Sequence, residues 1–148
     1  MSIKLRFAAY AALTCATFTS VAAFADDHAY SEGPVVNVAR IRTVDGKFDD
    51  YMAWLDGTWK RGEEAAKKAG YIISYEVLTV EPRGPDDPDI LLVTTFKNWA
   101  TLDGATAKAD AISKQVEGSL AAANHSETDR AKIRRVLGSS TMQVLNLK

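Results

Sequence analysis

Two polar side chains of this 148-residue sequence have the type and position that catalysis could use. Asn37 stands among apolar residues in the β-rich segment 35–43, and an asparagine buried there would need hydrogen-bond partners. His125 could act as a general base near neutral pH. Each also has a simpler interpretation, with Asn37 at a strand edge or in solvent and His125 in a linker between helices. We take both as candidate catalytic residues.

Four aromatic side chains could line an apolar pocket for an aromatic or quinone-like molecule. They are Tyr51, Trp59, Tyr75 and Trp99. The alternative is an ordinary core, since Trp59 lies in the middle of an apolar stripe at helical spacing, and such stripes are core by default. Both interpretations place these rings between a sheet and a helix.

Other site chemistry has little support in the sequence. The two histidines, the single cysteine and the scattered carboxylates show no metal-ligand spacing. There is no glycine-rich phosphate loop and no serine nucleophile elbow. We therefore predict neither a metal nor a cofactor.

The element that would position the aromatic side chains is a helix predicted over residues 48–69. At about 100° per residue, one side of this helix is apolar. That side is formed by Phe48, Tyr51, Met52, Leu55, Trp59, Gly62, Ala66 and Ala69. The opposite side carries the acid–base pairs Asp56/Lys60, Glu63/Lys67 and Glu64/Lys68 at i,i+4. We expect Asp45 to cap the helix N-terminus and Gly70 to follow its C-terminus.

Residues 1–25 have the composition of an export signal peptide. Lys4 and Arg6 precede a mostly apolar run at 7–18 that is too short to span a bilayer, and residues 23–25 (Ala-Phe-Ala) match a cleavage site. The mature chain would contain no cysteine, and its 16 basic and 19 acidic residues give a net charge of −3. We predict a periplasmic or secreted protein that binds no nucleic acid and, after cleavage, no membrane.

The mature chain reads as one domain of alternating strands and helices. Residues 26–34 are expected to form a loosely ordered leader, and residues 35–148 the folded domain. We predict strands at 35–43, 71–80, 90–96 and 141–147, a second helix beginning at Trp99 with Asn98 as its cap and Gly104 as a break, and a short extra helix opened by the capping pattern at 126–129 and stopped by Gly138. This order, β-α-β-β-α-β, predicts an α+β fold of the ferredoxin-like type, with helices on one face of a four-stranded antiparallel sheet.

The second and third predicted strands are apolar on both faces. One face would lie under the helices, and the other is too apolar to remain in contact with water. The simplest cover is the same sheet of a second subunit, so we predict a homodimer through the open sheet face.

The element order, the two-faced strands, the long first helix and the passage at 96–102 (Phe-Lys-Asn-Trp-Ala-Thr-Leu) resemble the dimeric α+β barrel superfamily. The resemblance covers about 35–147, and extends to exported proteobacterial proteins of this type. It implies a ligand pocket between the sheet and the helices of each subunit. The heme-degrading members are similar in having an asparagine on strand one and a tryptophan at the start of helix two, which Asn37 and Trp99 match. Their histidine later on that helix has no counterpart here, because His125 lies well beyond it.

These observations favour an exported protein that binds a small apolar or aromatic molecule, with cofactor-independent monooxygenase-like chemistry as one form of that function. The alternative is a non-catalytic periplasmic binding or stress-associated module without an active site, whose aromatic residues all belong to the core.

Overall fold

The computed structural model describes residues 28–148. The predicted signal peptide and cleavage site lie outside these residues and stay predictions. Within the described part, no helix combines the length and apolar character needed to cross a bilayer.

Four strands form one antiparallel sheet in the order β2-β3-β1-β4, which confirms the predicted ferredoxin-like α+β fold. The strands are β1 (Tyr30–Thr43), β2 (Ser74–Thr79), β3 (Ile90–Phe96) and β4 (Arg134–Leu147). The helices are α1 (Phe48–Trp54), a π-helical segment (Leu55–Trp59), α2 (Lys60–Lys68), α3 (Ala105–Glu117) and α4 (Leu120–Arg130), with a 3₁₀ turn at Trp99–Leu102.

The first and last strands, β1 and β4, are longer than the sequence predicts, while the edge strand β2 is shorter than the predicted 71–80. β1 begins at Tyr30, which pairs with Leu147 of β4, so residues 30–34 belong to the sheet and not to a loosely ordered leader. β4 begins at Arg134, seven residues before its predicted start. The two strands support each other over most of their length, because each backbone supplies the hydrogen-bond partners that the other lacks.

The predicted long helix is present, but it is not a regular α-helix. The residues joining α1, the π segment and α2 all have right-handed helical dihedral angles, so the three form one continuous helix, which we call the long helix. The predicted cap at Asp45 is wrong, since Lys47 precedes the first turn and provides no side-chain cap. Gly70 follows the C-terminus with φ +74°, as predicted, because this left-handed conformation is accessible to glycine.

The second helical region differs from the prediction after a correct start. The Asn98 side chain caps the turn by accepting a hydrogen bond from the Thr101 amide at 3.1 Å, and Gly104 separates this turn from α3. The predicted short helix opened by residues 126–129 is wrong. Those residues lie in the second half of α4, which begins after Ser119, whose hydroxyl accepts a hydrogen bond from the Ala122 amide.

The core lies where the long helix crosses the two central strands. It contains four buried side chains, Ile41 of β1, Ile90 of β3, and Tyr51 and Leu55 of the long helix. The sheet register places Asn37, Thr94 and Tyr75 on this helix-facing side, and Val38, Val93 and Glu76 on the opposite side. The helices therefore cover one face of the sheet, while the other is open in the single chain.

Candidate functional site

An open cavity of about 400 Å³ lies between the sheet, the long helix and α3. Most of its wall is apolar or aromatic, and is formed by Trp54, Trp59, Ala66, Ile72, Phe96, Leu102, Ala109, Ile112 and Val116. A smaller set of polar side chains reaches it, including Asn37, Thr58, Glu63, Thr94, Lys108 and Arg130. A concave apolar site with a few polar groups is the usual form of a small-molecule site, and this volume lies in the usual range.

The π segment shapes one wall of this cavity. A π turn inserts an extra residue into a helix, and such turns are frequent at functional sites. Here Trp54 lies directly before it, and Thr58 and Trp59 lie within it, and all three line the cavity. Gly57, which has no evident benefit in a regular helix, lies in this same irregular turn.

Asn37 lies on the cavity wall, at the sheet surface beneath α3. Its side-chain amide donates a hydrogen bond to the Thr141 hydroxyl at 2.9 Å, across the β1–β4 pairing in which these residues are directly opposite. The amide therefore has the partner that a polar residue needs on this face. Asn37 thus lies at the cavity, and its catalytic role stays a prediction.

Of the four predicted pocket aromatics, Trp59 lines the cavity and the other three lie outside its wall. Trp59 meets the Tyr75 ring edge to face, with ring centroids 5.3 Å apart. Tyr75 lies behind it and donates its hydroxyl to the Glu64 carboxylate at 2.6 Å. Tyr51 is 1% exposed and belongs to the core. Trp99 is half exposed, and its indole N–H donates to Gln143 at 3.0 Å, away from the cavity wall.

The structure does not bring His125 to the cavity. The sequence analysis offers a linker between helices as the simpler place for His125, but the residue lies within α4. Its side chain is 80% exposed. Its Nδ1 lies 3.2 Å from an Asp129 carboxylate oxygen one turn further along the same helix. A general base must reach the proton that it removes, so the cavity cannot use His125 in this conformation.

Glu63 is the cavity residue that the sequence analysis misses. The predicted Glu63/Lys67 pair is not formed: among the described residues, the Glu63 side chain has no hydrogen bond and no ion pair. Burial raises the pKa of Glu63 from 4.5 to about 7, because the charged form loses hydration that no partner replaces. Its spacing was an available signal, since Glu63 lies four residues after Trp59 and three before Ala66, both on the apolar stripe.

Two cations border the cavity and both are engaged with aromatic rings. The Lys108 ammonium donates to the Thr101 carbonyl at 2.6 Å and lies 5.5 Å from the Tyr71 ring centroid. The Arg130 guanidinium lies 4.4 Å from the Trp54 ring centroid, which is a cation–π distance. The cavity thus combines aromatic walls, two cations held by the protein itself, and two carboxyl groups, Glu63 and Glu117, that have no hydrogen bond or ion pair among the described residues.

Within residues 28–148, no three His, Cys, Asp or Glu side chains converge to form a group that could hold a metal ion. At the cavity, Asn37 can form hydrogen bonds and Glu63 can exchange a proton.

Comparison with known proteins supports the fold. The sequence matches no protein-family model, and no curated protein is significantly similar to it. The structure is similar to the crystal structure of protein SO0527 from Shewanella oneidensis, with a TM-score of 0.50 and 20% sequence identity, covering 79% of this chain and 96% of that one. The crystal structure of HapK from Hahella chejuensis gives a TM-score of 0.48 and 10% identity, covering 73% and 90%. At this identity, the likeness to SO0527 shows a shared fold alone.

Proposed function

We propose that this protein binds a small apolar or aromatic molecule in the cavity between the sheet, the long helix and α3. The supporting observation is the cavity itself, with its volume of about 400 Å³ and its mostly apolar wall. We propose further that the chain is exported and works in the periplasm or outside the cell, on the composition of residues 1–25.

We propose, as an extension of ligand binding, that the protein also catalyses a reaction in this cavity. A cofactor-independent, monooxygenase-like reaction on an aromatic or quinone-like compound would use Asn37 as the hydrogen-bonding group at the sheet surface. Turnover of a quinol that disappears in Asn37→Ala while ligand binding persists would support catalysis.

The second candidate function is a non-catalytic periplasmic binding or stress-associated module. The exposed position of His125 favours it, because that position removes one of the two predicted catalytic residues from the cavity.

Filling the cavity should abolish binding without unfolding the protein. Ala66 lines the cavity on α2, so the ring introduced by Ala66→Phe would occupy ligand space at a packing cost of about 1–3 kcal/mol. We expect naphthoquinone, naphthol or an aromatic acid to raise the melting temperature of the natural protein, and the rise to be absent in Ala66→Phe. Differential scanning fluorimetry with this ligand panel measures both proteins.

The matched control is Ala69→Phe, which places the same ring at the exposed end of the same helix, outside the cavity. It should keep the full ligand-induced rise. If no compound in the panel changes the melting temperature of the natural protein, the binding function is contradicted.

We also propose that the protein is a homodimer of the dimeric α+β barrel type. The centre of the open sheet face is formed by Val36, Val38, Leu91 and Val93, and the exposed Leu78 and Met142 extend it at either side. Arg40 and Glu76 lie on the same face, in neighbouring rows of the register. A two-fold pairing would bury the apolar centre and let Arg40 of each copy approach Glu76 of the other.

A charge at the centre of this face should separate the subunits. Val36→Arg places a guanidinium in the apolar centre, opposite the uncharged Thr95 and Met142, so it would be buried without a partner in the dimer but solvated in the monomer. We expect light scattering to give the mass of two chains for the natural protein and of one chain for Val36→Arg. Val136→Arg makes the same change at an exposed valine on the other side of the sheet and should remain dimeric. A natural protein that is monomeric at high concentration would contradict the proposal.

A further inference from the structure

Two carboxyl groups, Glu117 and Glu63, line the cavity without a hydrogen bond or an ion pair among the described residues, and burial raises the pKa of Glu63. Trp59, Gly62 and Ala66, its neighbours on the cavity side of the helix, are apolar or lack a side chain, and Ile112 of α3 faces them. A carboxyl group in such a place has lost part of its hydration and gained no protein hydrogen bond in return. A ligand that donates a hydrogen bond to Glu63 would replace the hydrogen bonds to water that the carboxyl group loses on folding. Glu63 therefore favours ligands that carry a hydrogen-bond donor.

The donor could be an organic cation or a neutral O–H group, and the aromatic walls favour the second. A cationic ligand gains most where its charge lies over an aromatic face. The Arg130 guanidinium already covers a face of Trp54, and the Lys108 ammonium lies over Tyr71. Trp59 meets Tyr75 edge to face. The protein's own cations therefore already cover two of the aromatic rings at this cavity and would repel an organic cation.

We propose that Glu63 recognises an aromatic ligand by accepting the proton of an acidic O–H group, as in a phenol or a hydroquinone. This inference rests on the proposed binding function and names the substrate class of the same cavity. The ligand proton forms a hydrogen bond to the ionised carboxylate. In a turnover, the O–H bond would break, the proton would pass to the Glu63 oxygen to give the neutral acid, and the electron pair would stay on the ligand oxygen as a phenolate.

The surroundings of Glu63 set the pH at which it can accept a proton. Several titratable or charged groups border the same region: Lys60, Glu64 and Lys67 on α2, Tyr71 and Tyr75 at β2, Lys108 and Glu117 on α3, and Arg130 on α4. The rise of the Glu63 pKa to about 7 comes from burial and not from these charges. Glu63 is thus mostly protonated in acid and becomes an acceptor as the pH rises through neutrality.

The test compares 1-naphthol with 1-methoxynaphthalene, which has the same ring system and no O–H. In the natural protein, we expect the Kd for 1-naphthol to decrease about tenfold between pH about 5.5 and pH about 8, as a charge-assisted hydrogen bond forms. The Kd for the methyl ether, which has no hydrogen to donate, should not decrease over this pH range. Isothermal titration calorimetry measures both, and the pH profile in the natural protein does not depend on any variant folding.

Glu63→Gln should bind both compounds with similar, pH-independent Kd values. Glu64→Gln makes the same change at the next residue and should give the same Kd values as the natural protein. Glu64 lies outside the cavity wall and accepts a hydrogen bond from the Tyr75 hydroxyl. Equal, pH-independent binding of both compounds by the natural protein would overturn this inference and leave the binding function standing. Tighter, Glu63-dependent binding of 1-naphthylmethylamine would overturn the choice of a neutral donor. Failure of both naphthalenes and of every other aromatic probe to bind would overturn the binding function itself.

Discussion

Glu63→Gln should raise the free energy of unfolding by about 2–3 kcal/mol at pH about 8 and leave it nearly unchanged at pH about 4. The reason is the partly buried carboxyl group, whose pKa rises from 4.5 to about 7 on folding. Below the lower value the group is neutral in both states and carries no penalty. Between the two values the unfolded chain releases a proton that the folded chain keeps, so the natural protein loses stability as the pH rises.

Above the higher pKa the penalty is complete, because the folded protein then holds a charge in an apolar setting. Glutamine has nearly the same shape and does not ionise, so the difference between the two proteins isolates this one group. Urea denaturation at a series of pH values measures it. In the natural protein, the Glu64 carboxylate accepts a hydrogen bond from the Tyr75 hydroxyl. Glu64→Gln should therefore show no comparable gain in the free energy of unfolding as the pH rises. A natural protein and a Glu63→Gln variant with parallel stability curves would show that Glu63 is well hydrated.

The sequence predicts an element well where prolines, a capping residue or a glycine mark its ends. β3 is predicted at its observed bounds, Ile90–Phe96, because a loop with three prolines precedes it and the Asn98 cap follows it. Gly70 ends the long helix for the same local reason. The fold class follows from the element order, since a ferredoxin-like sheet depends on the sequence of strands and helices more than on their lengths.

The region after α3 shows where local patterns mislead. Val116, Leu120 and Ala123 continue the helical spacing of α3, yet Gly118, with φ +84°, breaks the helix between them. Ile133, Val136 and Leu137 also have helical spacing, yet they lie directly before or within β4. There Gly138, with φ +128°, adjoins the shift in register opposite Arg40 and Ile41, which is a β-bulge. Pairing with the long strand β1 provides hydrogen bonds that a short isolated helix could not match.

The site was only partly predictable for a related reason. Asn37 and Trp59 lie at the cavity, as expected from their places on a strand and on an apolar stripe. Glu63 is missed because an acid four residues before Lys67 is usually read as a surface ion pair, although its spacing from Trp59 and Ala66 also fits the apolar side. The position of α3 shows that this carboxyl group faces a cavity. The sequence analysis places Trp99 in the pocket, but the turn that follows β3 directs its indole toward Gln143 of β4.

Tyr51→Ala should be the most destabilising single change in this region, with a loss of about 3–5 kcal/mol in the free energy of unfolding. Tyr51 is 1% exposed and contacts the core formed with Ile41, Leu55 and Ile90, so its removal leaves a cavity that a sheet and a helix cannot close. Burial raises the pKa of its hydroxyl to about 12, although nearby arginines act in the opposite direction. The hydroxyl therefore stays neutral at any pH of interest, and the ring contributes most of the stability.

Tyr51→Phe separates the two parts of the side chain and should cost only about 1 kcal/mol, the usual value of one hydrogen-bonding group. Phe48→Ala, on the same helix but 38% exposed, should also have a small effect, on the order of 1 kcal/mol. Urea denaturation of the three variants tests this order. Because the Tyr51 ring stacks on Trp54, with centroids 5.6 Å apart, and Trp54 lines the cavity, Tyr51→Ala should also weaken binding of 1-naphthol in the fraction that remains folded. Equal losses for Tyr51→Ala and Phe48→Ala would show that the long helix does not anchor its aromatic side in the sheet at this point.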